Sequence, residues 1–238
     1  MNTKSIVAET ISALESLKDD NRKKMGERNF PTKLEILGVT SPNIKLVLEE
    51  LRSQTKDWST PNKKTLAIAL TDTRYHECHH LAYYYLEKEK KALYSLTIQE
   101  AEQLAACLDN WVLVDTYCTF ILGVLWRIGT ISDDYIISLA KDKDLWNCRC
   151  AVVSTVALNQ ASRGGKGDTK RTIQICEIVI SDHKSLIVKA LSWALRVLIS
   201  RDRLAVEQFL SKYENKLHNQ VKKEVQNKLQ TGRKNPNP

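Results

Sequence analysis

Three segments of this 238-residue chain set an ionisable side chain about one helical turn from a tryptophan: Trp111 with Asp115, Trp146 with Arg149, and the stripe Lys189, Trp193, Arg196. A carboxylate among Val112, Leu113, Val114 and Tyr117 is costly unless it faces water or a partner, so Asp115 is expected to meet a ligand. Arg149 has two readings, a contact to an anion or a structural ion pair with Asp115 or Asp144. A second pattern, His76-Glu77-Cys78-His79-His80, matches H-E-x-x-H, in which two histidines one turn apart hold zinc and the glutamate activates water. A third ligand would have to come from Glu100 or Glu102, and nothing in the sequence argues for either. Ordinary histidines and a glutamate on a partly exposed helix are the better account.

The elements that must present these residues repeat. Asp72, Asp109, Asp144 and Asp182 lie 37, 35 and 38 residues apart, each ahead of a long apolar helical stretch, which is the period of stacked helical hairpins. Five pairs can be drawn: 62–70 with 73–90, 97–107 with 110–127, 132–142 with 146–161, 168–180 with 184–200, and 202–213 with 217–230. The four aspartates are expected to cap the second helices, accepting orphan backbone N–H groups at the positive end of the dipole. No run alternates with period two between turns, so the fold class is all-α, a helical-repeat solenoid with a concave, basic groove lined by one helix of each pair. Counted at about 100° per residue from the aspartates, Trp111 falls near 200°, Asp115 near 240° and Arg149 near 140°, one broad face; Trp193, near 20°, does not fit.

Composition narrows the partners. A net charge of +8 and a pI near 9.1 ask for an anionic partner, nucleic acid first. The stretch from Trp111 to Trp126 is apolar but short and contains Asp115, so a buried helix is expected rather than a membrane span. Six cysteines in predicted helices, with no signal-peptide pattern, point to a reduced, intracellular, cytoplasmic setting. One domain is expected over 1–230, with 1–60 as an N-terminal cap, 61–230 as the stacked pairs and 231–238 as a flexible tail. The cap holds a helix near 3–18, a basic Arg22-Lys23-Lys24 patch and a helix starting after Ser41-Pro42. Segment 162–167, with three glycines and two basic residues, reads as a flexible loop able to touch phosphate.

Taken together, Trp111-Val112-Leu113-Val114-Asp115, Trp146-Asn147-Cys148-Arg149 and the segment from Ile187 to Arg196 resemble, in order and spacing, three elements of the AlkD-like DNA alkylation-repair glycosylases, which are built from HEAT-like repeats. Phe30-Pro31 and Leu37-Gly38-Val39-Thr40-Ser41-Pro42 are similar to that family's entry segment. Cys148 stands where relatives often carry a polar or basic residue, Asn43-Ile44-Lys45 replaces a more Arg-rich stretch, and the end after Arg203 matches poorly. The resemblance implies a monomeric enzyme, without metal or other cofactor, that hydrolyses the N-glycosidic bond of cationic 3- or 7-alkylated purines in duplex DNA and so initiates base excision repair. It implies catalytic roles for Asp115, Trp111, Arg149 and Trp193. DNA contacts are expected from Arg149, Lys189, Arg196, Lys166, Lys170 and Arg171. The alternatives are a non-catalytic scaffold binding DNA or protein through the same groove and, with less support, a zinc hydrolase using His76 and His80.

Overall fold

The computed structural model describes residues 2–236 and is helical, with no strand among them; a single isolated bridge joins Glu35 and Tyr75. The chain divides into two compact units, residues 1–121 and 122–238. Of the tail expected over 231–238, residues 237 and 238 lie outside the described residues.

In the first unit the order is α1 (Thr3–Ser16), α2 (Asp20–Asn29), α3 (Ser41–Gln54), α4 (Thr60–Thr71), α5 (His76–Lys88), α6 (Lys90–Tyr94), α7 (Ile98–Ala105) and α8 (Trp111–Tyr117). Starts follow local chemistry. Thr40 and Ser59 accept N–H groups of the first turn and are followed by Pro42 and Pro61, whose missing N–H costs nothing there. Thr97 and Glu100 close a reciprocal capping box on α7. Leu66, Leu70, Leu81, Leu86, Leu93 and Leu104 are fully buried, and the buried tyrosines find acceptors: Tyr83 donates to the Leu104 carbonyl and Tyr117 to that of Ala101, both at 2.8 Å.

A five-residue π-helical segment, Cys118–Leu122, follows α8 and contains the boundary between the units. The second unit then runs α9 (Gly123–Arg127), α10 (Asp133–Ala140), α11 (Leu145–Asn159), a 3-10 turn (Ala161–Arg163), α12 (Thr169–Ile178), α13 (Ser185–Leu198), α14 (Arg203–Lys212) and α15 (Asn219–Thr231). Helix α11 is buried on every side from Cys148 to Asn159 and packs against α9, α10, α12 and α13, as an all-round apolar helix must. Helices occupy all five expected pairs of segments, as α4/α5, α7/α8, α10/α11, α12/α13 and α14/α15, and in α4/α5, α10/α11 and α12/α13 the two members pack on one another.

Three of the four expected aspartate caps are not caps. Asp72 ends α4, and α5 begins without a side-chain cap after Tyr75. The cap of α8 is Asn110, and that of α13 falls at Lys184. Asp144 alone caps as expected, accepting the N–H groups of Trp146 and Asn147 at 2.8 and 2.9 Å. Segment 162–167 is also strapped rather than loose. Arg201 donates to the carbonyls of Asn159 and Gly165, and Arg127 to those of Ala157 and Arg163.

Candidate functional site

In the first unit, Trp111 opens α8 and is held from the side. Its indole N–H donates to the Asn29 carbonyl at 3.2 Å, and its ring meets the edge of Phe30, 6.4 Å between centroids. Phe30 in turn stacks on His76 at 4.9 Å. The segment carrying Asn29 and Phe30 is tied to the start of α8 by Asp109. One carboxylate oxygen accepts the Thr32 hydroxyl and the other the Lys33 backbone N–H, both at 2.6 Å. Asn110, 1% exposed, caps the helix through Val112 and Leu113 and donates to Asp109. This support leaves Trp111 fixed yet 40% exposed. Asp115, one turn on, is half-buried, and its backbone carbonyl accepts the Thr119 hydroxyl at 2.7 Å. Pi-helical turns cluster at functional sites, and here one begins three residues after Asp115.

The zinc reading fails on Glu77. That carboxylate is 4% exposed and accepts the backbone N–H groups of Leu37, Gly38 and Val39 at 2.8–3.3 Å, so its lone pairs are not available to activate water. Gly38 makes the turn possible: its φ is +80°, and a Cβ there would lie 2.3 Å from the Asp19 carbonyl oxygen. Glu77 is therefore the receiver of the entry segment. His79 bonds the Thr73 carbonyl, while burial and the neighbouring His80 and His79 push His76 down to about 3. No group of three His, Cys, Asp or Glu side chains is placed to hold a metal among the described residues.

In the second unit, Arg149 is 4% exposed, and its guanidinium donates to the Leu186 carbonyl, tying α11 to the first turn of α13. Any phosphate contact from Arg149 must use the small part of it that reaches the surface. Cys148 beside it is a buried thiol, pushed up to about 11 by that burial and therefore inert. On α13, Lys189 is exposed while Trp193 and Arg196 are half-buried. Arg196 donates to Ser192 at 3.2 Å and lies 3.9 Å from Glu224. Arg171 pairs with Asp133 at 2.6 Å and lies over the Trp126 ring, a structural clamp that sequence spacing does not reveal. Lys166 and Lys170 are exposed, with no ion pair found for either among the described residues.

The observed caps also remove the misfit of Trp193. Counted from Asn110, Asp144 and Lys184, Asp115, Arg149 and Lys189 each lie five residues into their helices, a phase of about 140°. Trp193, nine residues in, falls near 180°, about 40° from Lys189 on the same helix. The cap of α13 lies two residues beyond Asp182.

No described helix is long and apolar enough to cross a membrane. No curated protein matches the chain. The family model described as DNA alkylation repair enzyme matches residues 10–229, nearly the whole helical array that carries these three motifs, and the chain belongs to that family.

Proposed function

We propose that this DNA alkylation repair protein is a glycosylase that hydrolyses the N-glycosidic bond of cationic alkylpurines, of the 3-methyladenine or 7-methylguanine type, in duplex DNA. Alkylation at a ring nitrogen makes the base a good leaving group, and bond breaking builds positive charge on the sugar. Asp115 stabilises that charge and orients or deprotonates the attacking water. Trp111 and Trp193 lay their electron-rich faces against the cationic deoxyribose, each contributing about 0.5–2 kcal/mol according to desolvation. Arg149 supplies fixed positive charge for the backbone phosphate beside the lesion. Lys189, Lys166 and Lys170 contact phosphates farther out, and Arg196 and Arg171 contribute charge while bound to Glu224 and Asp133. The protein acts as a monomer without metal in the reduced interior of the cell, where its six free cysteines are at home.

The observation that carries this reading is the indole of Trp111, 40% exposed yet fixed by the Asn29 carbonyl, one turn before a half-buried aspartate. The test is release of free base from duplex DNA containing 7-methylguanine. Asp115→Asn is expected to slow release by roughly a hundredfold or more, and Arg149→Ala to weaken it as well. Undiminished release by Asp115→Asn overturns the mechanism. Salt-sensitive duplex binding without release by any form identifies a non-catalytic scaffold instead.

A further inference from the structure

Within the second unit, helices α11, α13 and α15 are the second members of successive hairpins, and α13 packs against both of the others. Their contacts fix the register. Arg149 of α11 reaches the Leu186 carbonyl of α13, and Ser192 of α13 donates to the Glu224 carboxylate of α15. Arg149 and Lys189 each stand five residues past their caps; on α15, capped by His218, the same position is Lys223.

Lys223 differs from the other cations of its helix. Lys222 spends its ammonium on the Glu214 carbonyl and Lys228 on that of Gly232. Lys223 is exposed, and no hydrogen bond or ion pair to it is found among the described residues; the same holds for Lys189. The acid next to it in sequence is turned away. Glu224 is 7% exposed, takes its hydrogen bonds from Ser192 and Gln220, and pairs with Lys234 at 3.3 Å and Arg196 at 3.9 Å. Burial raises its pKa, but the hydrogen bonds from Ser192, Gln220 and Lys234 outweigh that and hold it ionised.

Two unpaired ammonium groups, offset by about two residues or about 3 Å along the helices in the register of the Ser192–Glu224 contact, stand on packed helices whose axes lie about 8–10 Å apart and are placed to take neighbouring phosphates of one strand. We propose that Lys223 and Lys189 form a two-point phosphate grip that extends the DNA-contacting surface onto the last helix. The inference rests on DNA being the ligand but not on base excision. The three sequence motifs end at Arg196, so Lys223 lies outside them.

The experiment is binding of a short, undamaged duplex by the full chain over a salt series. Lys189→Ala and Lys223→Ala are each expected to lower the slope of log K against log salt by about 0.9, and the double variant by about twice that. Lys223→Arg should keep the slope, and Lys212→Ala, on α14 and paired with Glu177, serves as the control that changes nothing. A wild-type slope for Lys223→Ala with an unchanged thermal midpoint overturns the grip. So does an equal loss in Lys212→Ala, which means net charge rather than position is read. If wild-type protein releases no methylated base yet the two slopes fall as stated, the grip stands and the glycosylase reading falls.

Discussion

At the scale of single residues, two carboxylates that the sequence offered for other tasks turn out to organise the N-terminal segment. Asp109 is not a helix cap but a bracket between Thr32, Lys33 and Asn110, and through that segment it holds the carbonyl that receives the Trp111 indole. Asp109→Ala is expected to shift the indole N–H resonance of Trp111 and to slow base release about tenfold. Asp109→Asn, which can still accept from Lys33 and donate to Thr32 but sets its amide NH2 against that of Asn110, should recover only part of both. A Trp111 resonance that stays in place in Asp109→Ala would show that the bracket does not reach the ring. Glu77 is the second case. Glu77→Ala leaves three backbone N–H groups without their acceptor and is expected to cost about 3 kcal/mol, measured by urea unfolding. Addition of a chelator should leave the thermal midpoint where it is, since this glutamate anchors a loop and does not activate water at a metal.

At the scale of elements, the hairpins were legible because apolar positions recur with a helical period and turn residues separate them. Their starts were less so. Aspartate before an apolar run is a fair sign of a cap, yet Asp109 is claimed by residues 77 and 76 positions earlier in the chain, and no local pattern records such a partner. The same holds for Arg171 and Arg196, whose acids Asp133 and Glu224 lie on other helices. Helix α2 (Asp20–Asn29) passed unseen because charged and polar residues fill it and only Gly26 is buried. The π segment was invisible for the opposite reason, since Cys118–Leu122 reads as unbroken apolar helix. The caps themselves can be tested against one another. Asp144→Ala should cost about 1 kcal/mol, because two N–H groups of α11 lose their acceptor. Asp72→Ala, at an exposed helix end, should stay within about 0.5 kcal/mol of the parent. Equal losses at the two sites would contradict the observed starts of α5 and α11.

At the scale of the whole molecule, the net positive charge pointed to an anionic partner, but titratable groups are distributed unevenly, and that has a consequence for stability. Three histidines, His76, His79 and His80, sit on α5 in the first unit, whereas His183 and His218 belong to the second, where His183 is exposed and His218 half-exposed. Burial pushes His76 down to about 3 and His80 to about 4, and lowers His79 as well. A histidine whose folded pKa lies below its unfolded value near 6.5 favours the neutral form in the folded chain. Its contribution is therefore complete above about pH 6.5 and is lost as the pH falls from there towards the folded value. For each such group the loss is about 1.4 kcal/mol per pH unit. Between pH 6.5 and pH 5 the first unit should lose several kcal/mol while the second loses little. Hydrogen exchange at pH 7 and pH 5, corrected for the intrinsic rate, should then show amides of α4 and α5 losing protection before those of α11 and α13. The reverse order would mean that the α5 histidines are already accessible to protons in the folded chain. His76→Leu removes one of the groups that must stay neutral, keeps a ring-sized apolar body against Phe30 and should flatten the acid limb of the unfolding curve, whatever its effect at neutral pH.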